Sequence, residues 1–294
     1  NKIVINASRT FHKLAAINGF LFDLQSKGAL LTRSGACAMP TPHLEELALR
    51  LSANRKAGRV SDLPLHDIQS EAEAEAIQAA ALDDYDEDFV GYTLVGTSLV
   101  CQRMLGVRRP FYAPLPNRAF HSDGNRIVLP QGMIGAQCEL AFTIGAALQG
   151  EGSAINRDTM AAAVVTCWPT IGLLGRRTPP ASNPELGAIA DFGLHVATIC
   201  GPMSMDFDRD ALDQVQMTAR IDGKPMISAR GDAVLGHPLE AVAWLVRELA
   251  RQDRRISAGD IVATGSFGPI LQVLPGQQLT VAFERIGEVS CRFD

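Results

Sequence analysis

One acidic residue in an otherwise apolar segment is the clearest chemical feature of the sequence. Residues 135–145 read GAQCELAFTIG, so Glu139 follows Gln137 by two positions and stands among Cys138, Leu140 and Phe142. Side chains two apart on a strand share a face, which puts Gln137 beside Glu139 and turns Cys138 toward the core. Burying an unpaired charge is costly, so Glu139 is either part of a surface alternation or a functional site.

Other side chains could serve the same chemistry. His195 and His121 titrate near neutrality, although a lone histidine in a loop is more often structural. Arg177, next to Arg176, could bind a substrate carboxylate, or either arginine could pair with Glu139. A second group can donate hydrogen bonds to a substrate oxygen or serve as turn residues; its members are Thr97, Ser98 and Ser266.

Composition excludes several classes of function. The 294 residues are 47% hydrophobic and 20% charged with a net charge of −5, so we expect neither nucleic acid nor a membrane surface as a partner. No Gly-x-Ser-x-Gly elbow, phosphate loop, dinucleotide fingerprint or His-Glu-x-x-His motif occurs. The six cysteines are widely spaced without a Cys-x-x-Cys pair, which favours free thiols and a cytoplasmic location.

Local patterns predict the elements that position these residues. Helices are expected at 41–51, at 70–82 with Ser70 as the N-cap, and at 237–250, where His237 is a candidate cap. Strands are expected at 89–95, 126–129 and 138–144, and Asp222-Gly223 predicts a hairpin between 215–221 and 225–229. We therefore predict a helical portion at 43–88 followed by a sheet-rich domain at 89–294.

Residues 1–42 differ from the rest in charge. They hold five basic residues and one aspartate, whereas the whole chain is acidic. We interpret this stretch as an extension or leader, with Met39 as a candidate native start.

Five motifs together resemble the hydratase/decarboxylase branch of the fumarylacetoacetate hydrolase superfamily. They are VGYTLVGTS at 90–98 with MLGV at 104–107, QCELAF at 137–142, PTIGLLGRR at 169–177, LGHPLEAVAWL at 235–245 and AGDIVATGS at 258–266. The resemblance implies an α+β fold, a mixed and strongly twisted β-roll with an N-terminal helical portion. It also implies a homo-oligomer.

The chain departs from this family at the positions that would bind a metal. The family's Glu-x-Glu strand binds Mg or Mn through two carboxylates, and Gln137 replaces the first of them. The family's third ligand, an Asp, matches Gly175, a nearby Glu matches Gly172, and a Lys matches Thr93. Hard cations need several oxygen ligands, so we predict no tightly bound metal and at most weak Mg or Mn binding through Glu139 and Gln137.

The resemblance and these departures lead to two functional hypotheses. The first is a diverged enzyme that does metal-independent acid/base chemistry on a small 2-oxo acid or polyketide-like carbonyl compound, by hydration or dehydration, decarboxylation, isomerisation or cyclisation. Glu139 and His195 would be catalytic, Gln137, Thr97, Ser98 and Ser266 would bind the substrate oxygen, and Arg177 would bind a carboxylate. The second is a catalytically silent paralogue that acts as a scaffold or partner subunit.

Overall fold

The computed structural model describes residues 42–148 and 154–294, and the described part begins with the predicted helical portion. Helix α1 spans Pro42–Ala57 and helix α2 spans Glu71–Tyr85. The Ser70 side chain accepts a hydrogen bond from the Glu73 backbone N–H, as predicted for the N-cap of α2. The predicted leader, Met39 and Cys37 lie outside the described residues.

Twelve strands form two sheets in the described part of the chain. Their bounds are β1 (Phe89–Val95), β2 (Phe111–Pro116), β3 (Phe120–Ser122), β4 (Arg126–Ile127), β5 (Met133–Ile144), β6 (Val164–Gly175), β7 (His195–Cys200), β8 (Gln216–Ile221), β9 (Lys224–Arg230), β10 (Ile261–Ala263), β11 (Gln278–Phe283) and β12 (Gly287–Phe293). A seven-stranded sheet has the order β2-β1-β10-β5-β6-β7-β3, and a five-stranded sheet has the order β4-β12-β11-β8-β9. Both sheets mix parallel and antiparallel pairs, as the resemblance implied.

Four further helices lie between these strands: α3 (Leu99–Leu105), α4 (Arg157–Ala163), α5 (Pro184–Ala190) and α6 (Pro238–Ala250). Helix α6 begins as its sequence predicts, because Pro238 is its first residue and His237 Nδ1 accepts a hydrogen bond from the Leu239 backbone N–H. The hairpin between β8 and β9 is also confirmed, with positive φ at Asp222 and Gly223. None of the described helices is long and apolar enough to cross a membrane.

The antiparallel pair β5–β6 forms the centre of the larger sheet. The register runs from Met133 opposite Gly175 to Ile144 opposite Val164. One face of β5 packs into the main hydrophobic core through Cys138, Leu140 and Phe142. Because successive side chains alternate, the other face of β5 carries Gln137 and Glu139.

A buried ion pair ties the end of β6 to the end of α5. Arg177 Nε lies 2.5 Å from Asp191 Oδ1, and the Arg177 backbone N–H donates to Asp191 Oδ2 at 2.8 Å. The guanidinium also donates to the backbone carbonyls of Asp191 and His195. With both side chains almost fully buried, the pair fixes where β7 begins.

We expect Asp191→Asn to lower the free energy of unfolding by about 3 kcal/mol, because it leaves the buried Arg177 guanidinium without a counter-charge. Urea denaturation would measure the loss. The matched control is Asp232→Asn, which removes the exposed Arg230–Asp232 pair and should change stability by less than about 0.5 kcal/mol. Equal losses of stability in the two variants would contradict the conclusion that the buried Arg177–Asp191 pair stabilises the fold.

Candidate active site

Glu139 lies on β5 with its carboxyl group completely buried. Oε2 accepts a hydrogen bond from the Gly265 backbone N–H at 2.7 Å, whereas Oε1 has no hydrogen-bond partner among the described residues. The positive φ of Gly265, +82°, turns its N–H toward the carboxyl group in a conformation that favours glycine. Glu139 is therefore not part of a surface alternation, and one of its oxygens has no hydrogen-bond partner among the described residues.

The carboxyl group occupies space that a side chain at position 172 would fill. Gln137 pairs with Gly172 across β5 and β6, and a Cβ at Gly172 would lie 2.2 Å from Glu139 Oε1 and 3.4 Å from Gln137 Nε2. A Cβ at Gly175 would instead meet Val196. Of the two glycines matched to acidic family positions, Gly172 is thus the one where a further carboxylate would meet Glu139.

The neighbouring amide of Gln137 is fully buried and held in place. Its Nε2 donates to the Leu94 carbonyl at 3.4 Å, and its Oε1 accepts from Cys101 Sγ at 3.8 Å. Cys101 belongs to the first turn of α3, so the start of this helix orients the amide beside the carboxyl group.

The predicted hydroxyl residues divide into two kinds. Ser98 caps α3, since its Oγ accepts from the Cys101 backbone N–H at 3.4 Å. Thr97 and Ser266 are buried with hydroxyls that have no partner in the part of the chain that is described. Thr97 Oγ1 would lie 2.3 Å from a Cβ at Gly265, which places it next to the backbone N–H that binds Glu139.

Thr93 adds a third hydroxyl to this face. It pairs with Ala263, which pairs with Ala141, so Thr93 faces the same side of the sheet as Glu139. Its Oγ1 is buried and also lacks a partner within the described ranges. Buried polar groups are usually satisfied, so these unpartnered hydroxyls and the unpartnered oxygen of Glu139 mark a candidate site for a polar ligand.

His195 and Arg177 contact a different set of side chains. Arg55 Nη2 donates to His195 Nδ1 at 3.2 Å, so the ring N–H is on Nε2, 3.0 Å from Thr198 Oγ1. Burial, reinforced by Arg55 and Arg177, lowers the pKa of His195 well below 6.5 and keeps the ring neutral. Within the described residues no hydrogen bond joins His195 or Arg177 to Glu139, so their predicted roles stay predictions.

The missing counter-charge sets the protonation state of Glu139. Arg177 pairs with Asp191, so the alternative of a Glu139–Arg177 salt bridge does not describe the structure. Burial raises the pKa of Glu139 from 4.5 to about 8, and the hydrogen bond from Gly265 opposes the rise. Glu139 is accordingly a neutral carboxylic acid at pH 7.

The donor set around Glu139 does not fit a resident magnesium or manganese ion. These cations take several oxygen ligands, including carboxylates, whereas this face offers one carboxyl group and one amide oxygen that already accepts from Cys101. No group of three or more His, Cys, Asp or Glu side chains placed to hold a metal occurs in residues 42–148 and 154–294.

Three contacts of the site were not predicted from the sequence: the hydrogen bond from the Gly265 N–H to Glu139, the hydrogen bond from the Cys101 thiol to Gln137, and the packing of Glu139 onto Gly172. The Thr-Gly-Ser sequence at 264–266 was a usable signal, because a glycine between two hydroxyl residues commonly marks a tight turn with exposed backbone N–H groups.

We expect Glu139→Gln to flatten the pH dependence of stability between about pH 5 and 8. In this range the native carboxyl group keeps a proton that the unfolded chain has released, so the free energy of unfolding falls as pH rises, by up to about 1.4 kcal/mol per pH unit. The variant lacks this loss, and its stability relative to the wild type should increase with pH. Denaturant titrations at several pH values would measure the difference.

The matched control is Glu288→Gln, since Glu288 is exposed on β12 and should leave the wild-type pH profile unchanged. A pH-independent difference between the Glu139→Gln variant and the wild type would contradict the raised pKa.

The amino-acid sequence is similar to those of known enzymes. The model of the fumarylacetoacetate (FAA) hydrolase C-terminal family matches residues 106–294. The TodF product hydratase of Pseudomonas putida F1 is 30% identical over 80% of this chain and 89% of its own length. The 2-keto-4-pentenoate hydratase of Paraburkholderia xenovorans LB400 is 29% identical over 70% of this chain and 76% of its own length.

A solved structure extends the likeness to the fold. The 4-oxalocrotonate decarboxylase of Pseudomonas putida G7, complexed with magnesium and adipate, superposes with a TM-score of 0.76 over 85% of this chain and 97% of that chain, at 24% identity. The motifs, the mixed sheets and the family match agree, and the chain belongs to the fumarylacetoacetate hydrolase family.

Proposed function

We propose that the protein is a lyase-type enzyme that uses Glu139 as a general acid/base, without a resident divalent cation, on a small 2-oxo acid or related carbonyl compound. The observation that carries the proposal is the Glu139 carboxyl group, which is fully buried and whose Oε1 has no hydrogen-bond partner among the described residues; the Thr97 hydroxyl, also unpartnered there, lies next to Gly265, whose backbone N–H binds Oε2. The hydratases and decarboxylases among its relatives support this reaction class.

The raised pKa suits proton transfer. A general acid or base works best when its pKa is close to the operating pH, and burial brings the pKa of Glu139 to about 8. In hydration, the carboxylic acid would give its proton to an alkene carbon and recover one from the water that adds to the next carbon. In decarboxylation, the same proton would replace the departing carbon dioxide.

The remaining groups would bind the oxygen of the enol or enolate. Gln137 Nε2 is directed only at a long 3.4 Å hydrogen bond to Leu94, and the hydroxyls of Thr97 and Ser266 lack partners in the described chain. Donors aimed at an oxygen that gains negative charge stabilise the transition state more than the ground state. This arrangement would replace, with neutral donors, the stabilisation that a metal supplies in the family.

We further propose a cytoplasmic homo-oligomer that takes a small-molecule substrate. The five cysteines within the described ranges are free and buried, which suits a reducing compartment. Helix α3 exposes Leu99 and Met104, whose exposed fractions are 69% and 52%, and such apolar surface is commonly covered by another subunit.

The alternative is a catalytically silent paralogue that serves as a partner subunit. The neutral residues at positions 137 and 172 favour it, because the resemblance expects carboxylates there, beside Glu139, and the chain supplies no other charged group in their place. The two proposals differ in one respect that can be measured, namely whether Glu139 is needed for turnover.

We expect metal-stripped protein to convert 2-keto-4-pentenoate or 4-oxalocrotonate, the compounds named by its relatives, and Glu139→Gln to reduce kcat by about 10²–10⁴-fold. Glu288→Gln, an exposed substitution of the same type, should retain wild-type kcat. Spectrophotometric assays with and without EDTA would measure these rates. Absence of turnover with both compounds, or turnover unchanged in the Glu139→Gln variant, would favour the silent paralogue.

We expect calorimetric titration of Mg²⁺ or Mn²⁺ into metal-stripped protein, with oxalate as a chelating mimic of the enolate, to detect no site tighter than about 1 mM. The Gln137→Glu variant restores a second carboxylate beside Glu139 and should bind the ions more tightly than the wild type. Micromolar binding by the wild type would overturn the metal-independent mechanism.

A further inference from the structure

A cavity of about 340 Å³ lies near the C-terminal end of α1, beside β3, β4 and β7. We call it the basic cleft, because six basic side chains line it and no aspartate or glutamate does; they are Arg55, Arg59, Arg118, His121, Arg126 and Arg177. Its lining does not include Glu139, Gln137, Thr97 or Ser266, so the basic cleft is distinct from the candidate active site.

Three of the arginines are already neutralised by carboxylates that lie outside the lining. The pairs are Arg118–Glu87 at 2.7 Å, Arg126–Asp294, and Arg177–Asp191 at 2.5 Å. These three side chains shape the cleft but carry little uncompensated charge into it.

Arg55 is different, since no carboxylate of the described chain forms a salt bridge with it. Its guanidinium lies 5.0 Å from the centroid of the Tyr85 ring and 4.6 Å from that of Phe192, and Nη2 donates to His195. Nη1 is buried and has no hydrogen-bond partner in residues 42–148 and 154–294. The Arg55 guanidinium thus packs against two aromatic rings, while its Nη1 donates no hydrogen bond within the described chain.

The pKa of Arg55 also indicates that its positive charge is poorly stabilised in the free protein. Burial, together with the positive charge of Arg177, lowers the pKa of Arg55 to about 10, and Tyr85 and Asp191 oppose this shift. A cation held next to another cation, with an unsatisfied donor, is stabilised by an anion more than by water.

Arg59 supplies a second charge at the mouth of the cleft. It is exposed, its Nε donates to Asn54 Oδ1 at 3.2 Å, and no acidic partner is found for it among the described side chains. Arg59 and Arg55 lie on either side of the end of α1, so a planar guanidinium is available both inside the cleft and at its rim.

We propose that the basic cleft binds a small organic or inorganic anion through a carboxylate or phosphate group that contacts Arg55 and Arg59. Guanidinium groups match the geometry of both anions, and a cavity of this volume admits a metabolite. The anion satisfies Arg55 Nη1 and supplies the salt-bridge partner that Arg55 lacks in the described chain. The proposal does not depend on the function of Glu139.

Calorimetric titration of the full chain with inorganic phosphate and, separately, with succinate tests the proposal and distinguishes the two chemistries. One of these probes should bind with a dissociation constant below about 1 mM. Arg55→Gln and Arg59→Gln should each weaken that binding by about tenfold or more, because each removes a charge-assisted hydrogen bond.

Two controls make the result specific. Arg118→Gln lies in the same cleft but removes an arginine that Glu87 already neutralises, so it should preserve affinity within about threefold. Glu139→Gln should also preserve it, which separates this site from the proposed catalytic one. Since Arg55 packs against aromatic rings and its variant could fold poorly, the exposed Arg59→Gln provides the independent test. Failure of both probes to bind with a dissociation constant below about 1 mM, or binding unchanged by Arg59→Gln in folded protein, would overturn the proposal.

Discussion

The burial of one carboxyl group without a counter-charge is the constraint on which the candidate site depends. Glu139 is completely enclosed, and its carboxyl group lies where a side chain at Gly172 would otherwise be. The fold accommodates it by raising its pKa to about 8 and by giving Oε2 a backbone donor at Gly265. A neutral acid of this kind is inexpensive to bury compared with a carboxylate, and it can exchange a proton near neutral pH.

The position of this acid follows from the larger sheet. The twelve-residue strands β5 and β6 pair along their length, which places Gln137 and Glu139 on one face and the apolar residues of β5 on the other. The buried Arg177–Asp191 pair then fixes the start of β7, the strand that flanks β6. Arg177 thus has a structural partner, Asp191, and no salt bridge joins it to Glu139 in the described chain.

The chain keeps the fold of its family, whereas two positions that the resemblance expects to be acidic carry neutral residues. In a metal site of this kind, the cation offsets the repulsion between carboxylates and the carboxylates offset the dehydration of the cation. With Gln137 and Gly172 in place of acidic residues, burial remains as the means of tuning Glu139. The basic cleft presents the opposite situation, because there several arginines meet without an acidic residue in the lining.

Local sequence determined much of the fold: the capping of α2 by Ser70, the start of α6 at Pro238, the hairpin at Asp222-Gly223, and the inward orientation of Cys138 all follow from neighbouring residues. Alternation along one strand also predicted that Gln137 and Glu139 share a face. The partners of these side chains depended on the tertiary structure, because Gly265 is 126 positions from Glu139 and Arg55 is 140 positions from His195. Strand order brings such distant groups together, and periodicity within a segment carries no information about it. Whether Arg177 would meet Asp191 or Glu139, and which oxygen of Glu139 would remain unpaired, was therefore decided by packing alone.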